Sequence, residues 1–468
     1  MIDTLVIQMY KMGTGDCFVL KFLEKSKTAW QMLIDCGCWT RSADEIRPYV
    51  AKLVEEVGGA VDALVVTHEH KDHVLGFQAS KELFKKLKIG EIWMAWTEED
   101  EDSEVKRWKE KYGQRKMALA ESARRLKAAV DSDSFAGQLR EMRGGDGLLG
   151  MRKTFAGGLG DLAELHLDGG VAASLAGMTV VKEDLKAQKR RYFKPGQILR
   201  DIPGVKTYVL GPPLLYQQVS KEAGSGGAAY RHNKELGDSD LLLSAIGSGD
   251  GVLPERPFKS GYEIPIDQRK LGPDWRRIDS DWLFGAGQFA LRMNSLTNNL
   301  SLVLAFEFEQ QGKVVLFPGD AEFGSWESWH QIKKWDEADV SVKDLLSKVV
   351  FYKVAHHLSH NGTARGIGLD LMTHPELVAM ATLDYNVISN GWKTTMPNRL
   401  IVKNLLEKTK GRLFVTNPNG LFYDLHGKVP LAGKIEEYRG RMSTAERKSF
   451  AKASERSNDL FLEYRLKL

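Results

Sequence analysis

Cysteine is scarce in this chain of 468 residues, which contains Cys17, Cys36 and Cys38 and no others. So small and odd a number predicts no disulfide framework, and Cys36-x-Cys38 lacks the second pair that a structural zinc site would need. No apolar run approaches the ~20 residues of a membrane span. The first residues also lack the basic and apolar regions of a signal peptide. We therefore expect a cytoplasmic protein without membrane association.

The sequence also lacks an excess of charge of one sign. It has 66 basic and 62 acidic residues, for a formal net charge of +4. A balance this close neither requires nor excludes a nucleic-acid partner, because a local basic patch can exist in a nearly neutral chain. A hydrophobic content of 43% is sufficient for a large core. The length predicts one large core with an insertion, or two domains.

Histidine is concentrated where an apolar segment ends. Residues 61–66 are mostly apolar and β-branched, which predicts a buried strand. The next residues include His68, His70, Asp72 and His73, which would all project from one short loop. Imidazole nitrogens and a carboxylate gathered in this way are ligands of zinc, manganese or iron. The alternative is a polar turn that is rich in histidine by chance. Matching candidate ligands later in the chain argue against it.

Further candidates follow later apolar segments. Asp320 comes three residues after the end of one predicted strand, and His356, His357 and His360 come after another. Asp35 ends an earlier strand just before a glycine turn, from which it could hydrogen-bond a ligand histidine and fix the orientation of its ring. Ordinary turn chemistry explains Asp35 equally well from local sequence.

The His-x-His-x-Asp-His spacing resembles that of metallo-β-lactamase-fold hydrolases at every motif position, and Asp320 and His356 follow in the expected order. Within that fold, the sequence is most similar to the nuclease domain of the DNA-uptake protein ComEC. Four features carry this resemblance: Gly15-Asp16-Cys17, Leu33-Ile34-Asp35-Cys36-Gly37, Asn299-Leu300-Ser301-Leu302-Val303-Leu304, and the double histidine followed by Ser359.

The resemblance implies an α/β protein with an αββα metallo-β-lactamase sandwich and a large mixed helical and loop insertion. Its expected parts are a first half at 1–96, the insertion at 97–198, a second half at 199–428 that includes a long loop at 214–275, and a C-terminal helix and strand extension at 429–468. The resemblance itself leaves the insertion unexplained.

The resemblance also implies two divalent ions, zinc or manganese, with iron possible. His68 and His70 would hold one ion, and Asp72, His73 and His356 the other, with Asp320 between them. A hydroxide shared by the ions would be the nucleophile, and Asp72 or Asp320 could carry a proton. His357 would contact a ligand or the substrate, or be the ligand itself if the register shifts. Further residues expected to support ligands or contact substrate are Asp35, Asn299, Ser359 and His360.

The chain departs from the pattern of its relatives at two points. Leu358 stands where they commonly have glycine, which could alter the turn. No convincing histidine occupies the middle ligand position, because His166 and His232 lie in insertion-like sequence. The absence of this histidine disfavours a β-lactamase or a lactonase. ComEC-type domains also lack it, as this chain does. Whether the site binds one metal or two therefore stays open.

Three functions follow as hypotheses, because a fold and a metal do not fix the substrate. The first is a phosphodiesterase or nuclease, in which the basic residues 186–191 could follow a nucleic-acid backbone; solvated surface is the more frequent explanation of such a stretch. The second is a hydrolase of a small ester, lactone or thioester, which would need an apolar pocket. The third is a metal-binding partner or effector module with a gated site, docking another protein through residues 97–198. The oligomeric state is not predicted.

Overall fold

The computed structural model describes residues 2–39, 41–103, 105–107, 109–110, 176–221, 295–333, 335, 340–388, 396–419, 421 and 429–468. Two seven-stranded sheets form its framework, and both belong to one compact unit. His166, His232 and most of the predicted long loop at 214–275 lie outside the described residues.

The first sheet combines an antiparallel and a parallel half. Its strands, in spatial order, are β14 (Phe461–Lys467), β1 (Thr4–Tyr10), β2 (Phe18–Glu24), β3 (Lys27–Ile34), β4 (Ala60–Val65), β5 (Lys88–Ala95) and β6 (Ala187–Phe193). Neighbours are antiparallel from β14 to β3 and parallel from β3 to β6. The parallel half therefore places the carboxyl ends of β3 and β4 at the same edge.

The second sheet is divided in the same way. Its strands, in spatial order, are β13 (Leu413–Asn417), β12 (Val378–Asp384), β11 (Val349–Lys353), β10 (Lys313–Phe317), β9 (Val303–Phe308), β8 (Val205–Gly211) and β7 (Ile198–Leu199). Neighbours are parallel from β10 to β13 and antiparallel from β7 to β10. The carboxyl ends of β10, β11 and β12 thus also share one edge.

The two sheets pack face to face through a single buried apolar cluster to which both contribute. Phe18 of β2 and Phe317 of β10 meet edge to face, with ring centroids 5.4 Å apart. Phe22 and Phe306 make a similar contact at 6.1 Å. Alternating strand residues point to opposite faces, so the intervening residues of each strand face outward.

Helices cover the outer faces. Beside the first sheet lie α1 (Ala43–Glu56), α2 (Lys71–Ala79) and α3 (Lys81–Phe84), and the first of these begins with a capping box of Ser42 and Glu45. Further helices in the described ranges are α4 (Ala176–Thr179), α5 (Tyr216–Val219), α6 (Phe323–Trp329), α7 (Val342–Ser347), α8 (Arg399–Thr409), α9 (Leu431–Arg439) and α10 (Thr444–Ser454). Helix α6 packs against β8, and α8 packs against β12 and β13. This arrangement confirms the predicted αββα sandwich.

Two strands extend the first sheet beyond the predicted first half at 1–96. Strand β6 lies inside the range 97–198, for which helices and loops are expected, and β14 lies in the C-terminal extension. The sequence of β6, AQKRRYF, is typical of solvated surface, because an edge strand leaves most of its side chains partly exposed.

No helix in the described part of the chain is long and apolar enough to cross a membrane.

Candidate metal centre

The candidate residues meet at the edge where parallel strands of both sheets end. Asp35 follows β3, and residues 67–73, which we call the histidine loop, follow β4. Asp72 and His73 do not lie in a loop as expected, because the first turn of α2 includes them. Asp320 follows β10, and His357 follows β11. The N–H of Leu302 donates to the carbonyl of Thr67 at 2.9 Å, so a backbone bond joins the two sheets beside the loop.

The histidine loop is held by the backbone of the turn after β3. The Cys36 N–H donates to the His73 carbonyl, and the Asp16 N–H donates to the Asp72 carbonyl, both at 2.9 Å. A Cβ atom at Gly37 would lie only 2.2 Å from the carbonyl carbon of Asp72 and 2.3 Å from the nitrogen of His73. Only glycine permits so close an approach, which explains its place after Asp35.

Four buried side chains converge on one point. Asp72, His73, Asp320 and His357 each direct a ligand atom there, all within 4.8 Å of one another. Asp320 Oδ2 lies 3.2 Å from His73 Nε2 and 3.1 Å from His357 Nε2. Asp72 Oδ2 lies 2.9 Å from His357 Nε2. We call these residues the four-residue group.

His68 and His70 form a second pair of donors beside this group. His68 Nε2 lies 3.0 Å from His70 Nδ1, within hydrogen-bond distance, so the two ring nitrogens are adjacent. The His68 ring is also 4.1 Å from that of His73, centroid to centroid. Both residues are buried.

Hydrogen bonds to Nδ1 fix three of these rings. His73 Nδ1 donates to Asp35 Oδ2 at 2.8 Å, which is one of the two interpretations that the sequence left open for Asp35. The Thr67 hydroxyl donates to the same Asp35 oxygen at 2.6 Å and so accepts from His68 Nδ1 at 3.1 Å. His357 Nδ1 donates to the Thr382 hydroxyl at 2.8 Å. Each bond occupies Nδ1 and leaves Nε2 available to a metal, as ligand histidines require.

The charges of the group oppose the effect of burial. Burial alone would lower the pKa of His357, but attraction to Asp320 and Asp72 raises that pKa to about 9. The same carboxylates hold the pKa of His73 well above its usual value despite burial. Burial alone would raise the pKa of Asp72, but His73 and His357 lower it to about 2. Without metal, Asp72 and Asp320 therefore favour the protonated form of both His73 and His357.

The residues present fit a divalent metal. Nitrogen and carboxylate oxygen donors suit zinc or manganese. Asp72 Oδ1 is buried and has no hydrogen-bond partner within the described residues. Such an oxygen is unfavourable in a protein interior unless a cation or donor reaches it. The orphaned oxygen and the oriented imidazoles together identify the group as a candidate metal centre.

The structure brings His357, and not the expected His356, into the four-residue group. His356 Nδ1 lies instead 3.3 Å from Glu322 Oε1 and 3.1 Å from Asn361 Oδ1. Both histidines have φ of 48°, in the left-handed region, so the chain turns sharply between them. Strand periodicity does not extend through such a turn, which is why sequence alone could not choose between the two.

Three other candidates lie around the group in different roles. Asn299 supports the backbone: its Nδ2 donates to the Val219 carbonyl, and its Oδ1 accepts from two backbone N–H groups. The Ser359 hydroxyl donates to Asn361 Oδ1 at 3.0 Å. His360 is partly exposed.

Leu358, at φ 67°, adopts the left-handed conformation that glycine would take, with its side chain fully buried.

The sequence did not indicate five residues that surround the group. Asp16, Thr67, Lys353 and Thr382 contact its members, and Glu322 contacts His356. Lys353 has one recognisable signal, since it is the only charged residue in an otherwise apolar strand. Glu322 follows Asp320 by two residues, in a pattern that local sequence does not distinguish from a turn.

Metal binding to the metal-free protein is expected to release protons at pH 7. Because the pKa of His357 is raised from 6.5 to about 9, its protonated form stabilises the metal-free fold fully below pH 6.5, and this is lost as the pH rises through about 9. Metal requires the neutral imidazole, so affinity should rise across the same window. Calorimetric titration with Zn²⁺ in two buffers of different ionisation enthalpy measures the release; none at pH 7 would contradict the ligand assignment.

One family model matches the chain. It is the model of the metallo-beta-lactamase superfamily, and it covers residues 15–173, which is less than half of the chain. No curated protein matches. That superfamily consists largely of metal-dependent hydrolases, so the match, the αββα sandwich and the buried histidine and aspartate group together support metal-dependent hydrolysis.

Proposed function

We propose that this protein is a metal-dependent phosphodiesterase that acts on a nucleic acid or a nucleotide. The four-residue group, with the His68 and His70 pair beside it, is the observation that carries the proposal. Divalent ions bound there would lower the pKa of water towards ~7 and stabilise the negative charge that develops on phosphoryl oxygens.

The chain's own residues would divide the work of holding the ions. Asp72, His73, Asp320 and His357 would hold one, through the atoms that already converge. His68 and His70 would hold a second, through the two nitrogens 3.0 Å apart. Asp35, Thr67 and Thr382 would keep the ring tautomers that metal binding needs. No side-chain nucleophile is required in such a site.

Two features favour a phosphodiester over an acyl substrate. Adjacent donor sets suit in-line displacement at phosphorus, in which both the attacking and the leaving oxygen need stabilisation. The ComEC resemblance supports the same class. The basic stretch 186–191 contributes less, because Arg191 is paired with Glu91 at 2.9 Å and Asp201 at 2.8 Å. A nucleic-acid partner, a protein partner through residues 97–198 and a cytoplasmic location all stay predictions.

Hydrolysis of bis(p-nitrophenyl) phosphate by protein loaded with Mn²⁺ or Zn²⁺ tests the proposal. We expect metal-dependent release of p-nitrophenol, reduced more than about 100-fold in His70→Ala, because loss of a ligand should exceed the 10–100-fold effect of losing its supporting contacts. A lactone and nitrocefin serve as parallel substrates. Acyl turnover alone would replace the proposal with an ester or lactone hydrolase, and inactivity on all three with metal bound would favour the partner module.

A further inference from the structure

Lys353 is a buried ammonium group at the edge of the candidate metal centre. It is the last residue of β11, and 1% of its surface is exposed. Its Nζ donates to the Gly319 carbonyl at 2.8 Å and to Asp320 Oδ1 at 3.0 Å, and it forms an ion pair with Asp16 Oδ2. The lysine therefore lies between one member of the four-residue group and one carboxylate outside it.

The two oxygens of Asp320 have different surroundings. Oδ1 accepts from Lys353 Nζ and from the backbone N–H of His356 at 3.1 Å. Oδ2 faces His73 Nε2 at 3.2 Å and His357 Nε2 at 3.1 Å. Oδ1 is thus occupied by two protein donors, and Oδ2 alone is directed at the point where the four ligand atoms converge.

Asp16 connects the same ammonium to His357. Its Oδ1 accepts from the Thr382 hydroxyl at 2.6 Å, and that hydroxyl accepts from His357 Nδ1 at 2.8 Å. Asp320 and His357 are consequently both held through the atoms that do not take part in the convergence, Oδ1 and Nδ1. Ion pairs of this kind are short and directional, so they restrict the rotation of the carboxylates they hold.

We propose that Lys353 is a positioning residue that limits Asp320 to a single metal-binding oxygen and thereby favours ions of low coordination number. The inference rests on the proposed function, since it concerns the same centre. A carboxylate with one free oxygen suits tetrahedral zinc, whereas manganese takes additional oxygen ligands. Removal of the lysine would leave the N–H of His356 as the remaining one of these two donors to Oδ1, so that the second lone pair of Oδ1 could approach the ion as well.

The variant Lys353→Met tests this, because methionine keeps much of the side-chain volume and removes the charge. Lys182→Met is the matched control: Lys182 is also largely buried between two carboxylates, at 2.8 Å from both Glu98 and Asp100, outside the metal centre. Each protein is loaded with Co²⁺, whose visible d–d absorption reports coordination number. Zinc and manganese affinities are measured by competition.

We expect the d–d spectrum of Lys353→Met to change and its preference for zinc over manganese to fall by about 10-fold or more, within the range for contacts that support ligands. Lys182→Met should keep the wild-type spectrum and preference. A folded, cobalt-loaded Lys353→Met with both properties unchanged would overturn the inference.

A second variant covers failure of the first to fold. Removing one partner of a buried ion pair is strongly destabilising, whereas removing both charges is better tolerated. The double variant Lys353→Met with Asp16→Asn removes both and keeps an amide oxygen for Thr382. The double variant should show the same spectral change. A wild-type spectrum would overturn the inference about Lys353 and leave the proposed function standing. Wild-type protein that binds no cobalt would overturn the proposed function as well.

Discussion

Asp320→Asn is expected to reduce metal-dependent turnover by more than about 100-fold while the protein stays folded. The amide keeps the size of the carboxylate but removes the negative charge that faces His73 and His357. Lys353 would retain its ion pair with Asp16, so the buried ammonium is not left alone. The measurement is kcat/KM on bis(p-nitrophenyl) phosphate together with bound metal per protein.

Asp370→Asn is the matched control for this substitution. Asp370 is exposed and lies 3.7 Å from Arg365 across a surface ion pair, a contact worth about 0–1 kcal/mol. Its turnover and metal content should equal those of the wild type. Wild-type activity in Asp320→Asn, with metal bound, would contradict the central place of Asp320.

His357→Ala is expected to lose tightly bound metal and more than about 100-fold of turnover, whereas His356→Ala should keep its metal. The difference follows from geometry: His357 Nε2 lies 2.9 Å from Asp72 and 3.1 Å from Asp320, and the side chain of His356 lies beside Glu322 instead. Both residues are buried, so truncation removes similar packing from each. Metal content after dialysis and kcat/KM are measured for both.

Each of these two variants is the control for the other, because the two residues are adjacent in one turn and their substitution should affect folding to a similar extent. The free energy of unfolding of each metal-free variant is compared first, and the metal content of folded protein second. The opposite pattern, with metal lost only in His356→Ala, would restore the assignment that the sequence favours.

The local parts of the candidate centre followed from sequence alone. A mostly apolar, β-branched segment followed by His68, His70, Asp72 and His73 predicts that these residues lie together, because a buried strand must end where such polar side chains begin. The predicted single loop was wrong in one respect, because Asp72 and His73 lie in the first turn of α2. The αββα architecture was predicted from the same loop and its resemblance to a known family. For Asp35, the sequence left a contact with a histidine and ordinary turn chemistry as equal alternatives, and the parallel pairing of β3 with β4 brings it to His73.

Tertiary structure decided the rest. Thr382 and Asp16 are 366 residues apart in the chain, and no local pattern indicates that they share a hydrogen bond. The choice of His357 over His356 depends on left-handed residues in a turn, where strand alternation no longer applies. The ion pairs of Lys353 with Asp16 and Asp320 require both sheets to be packed together. Sequence determines which residues end each strand, and packing determines which of those strand ends meet.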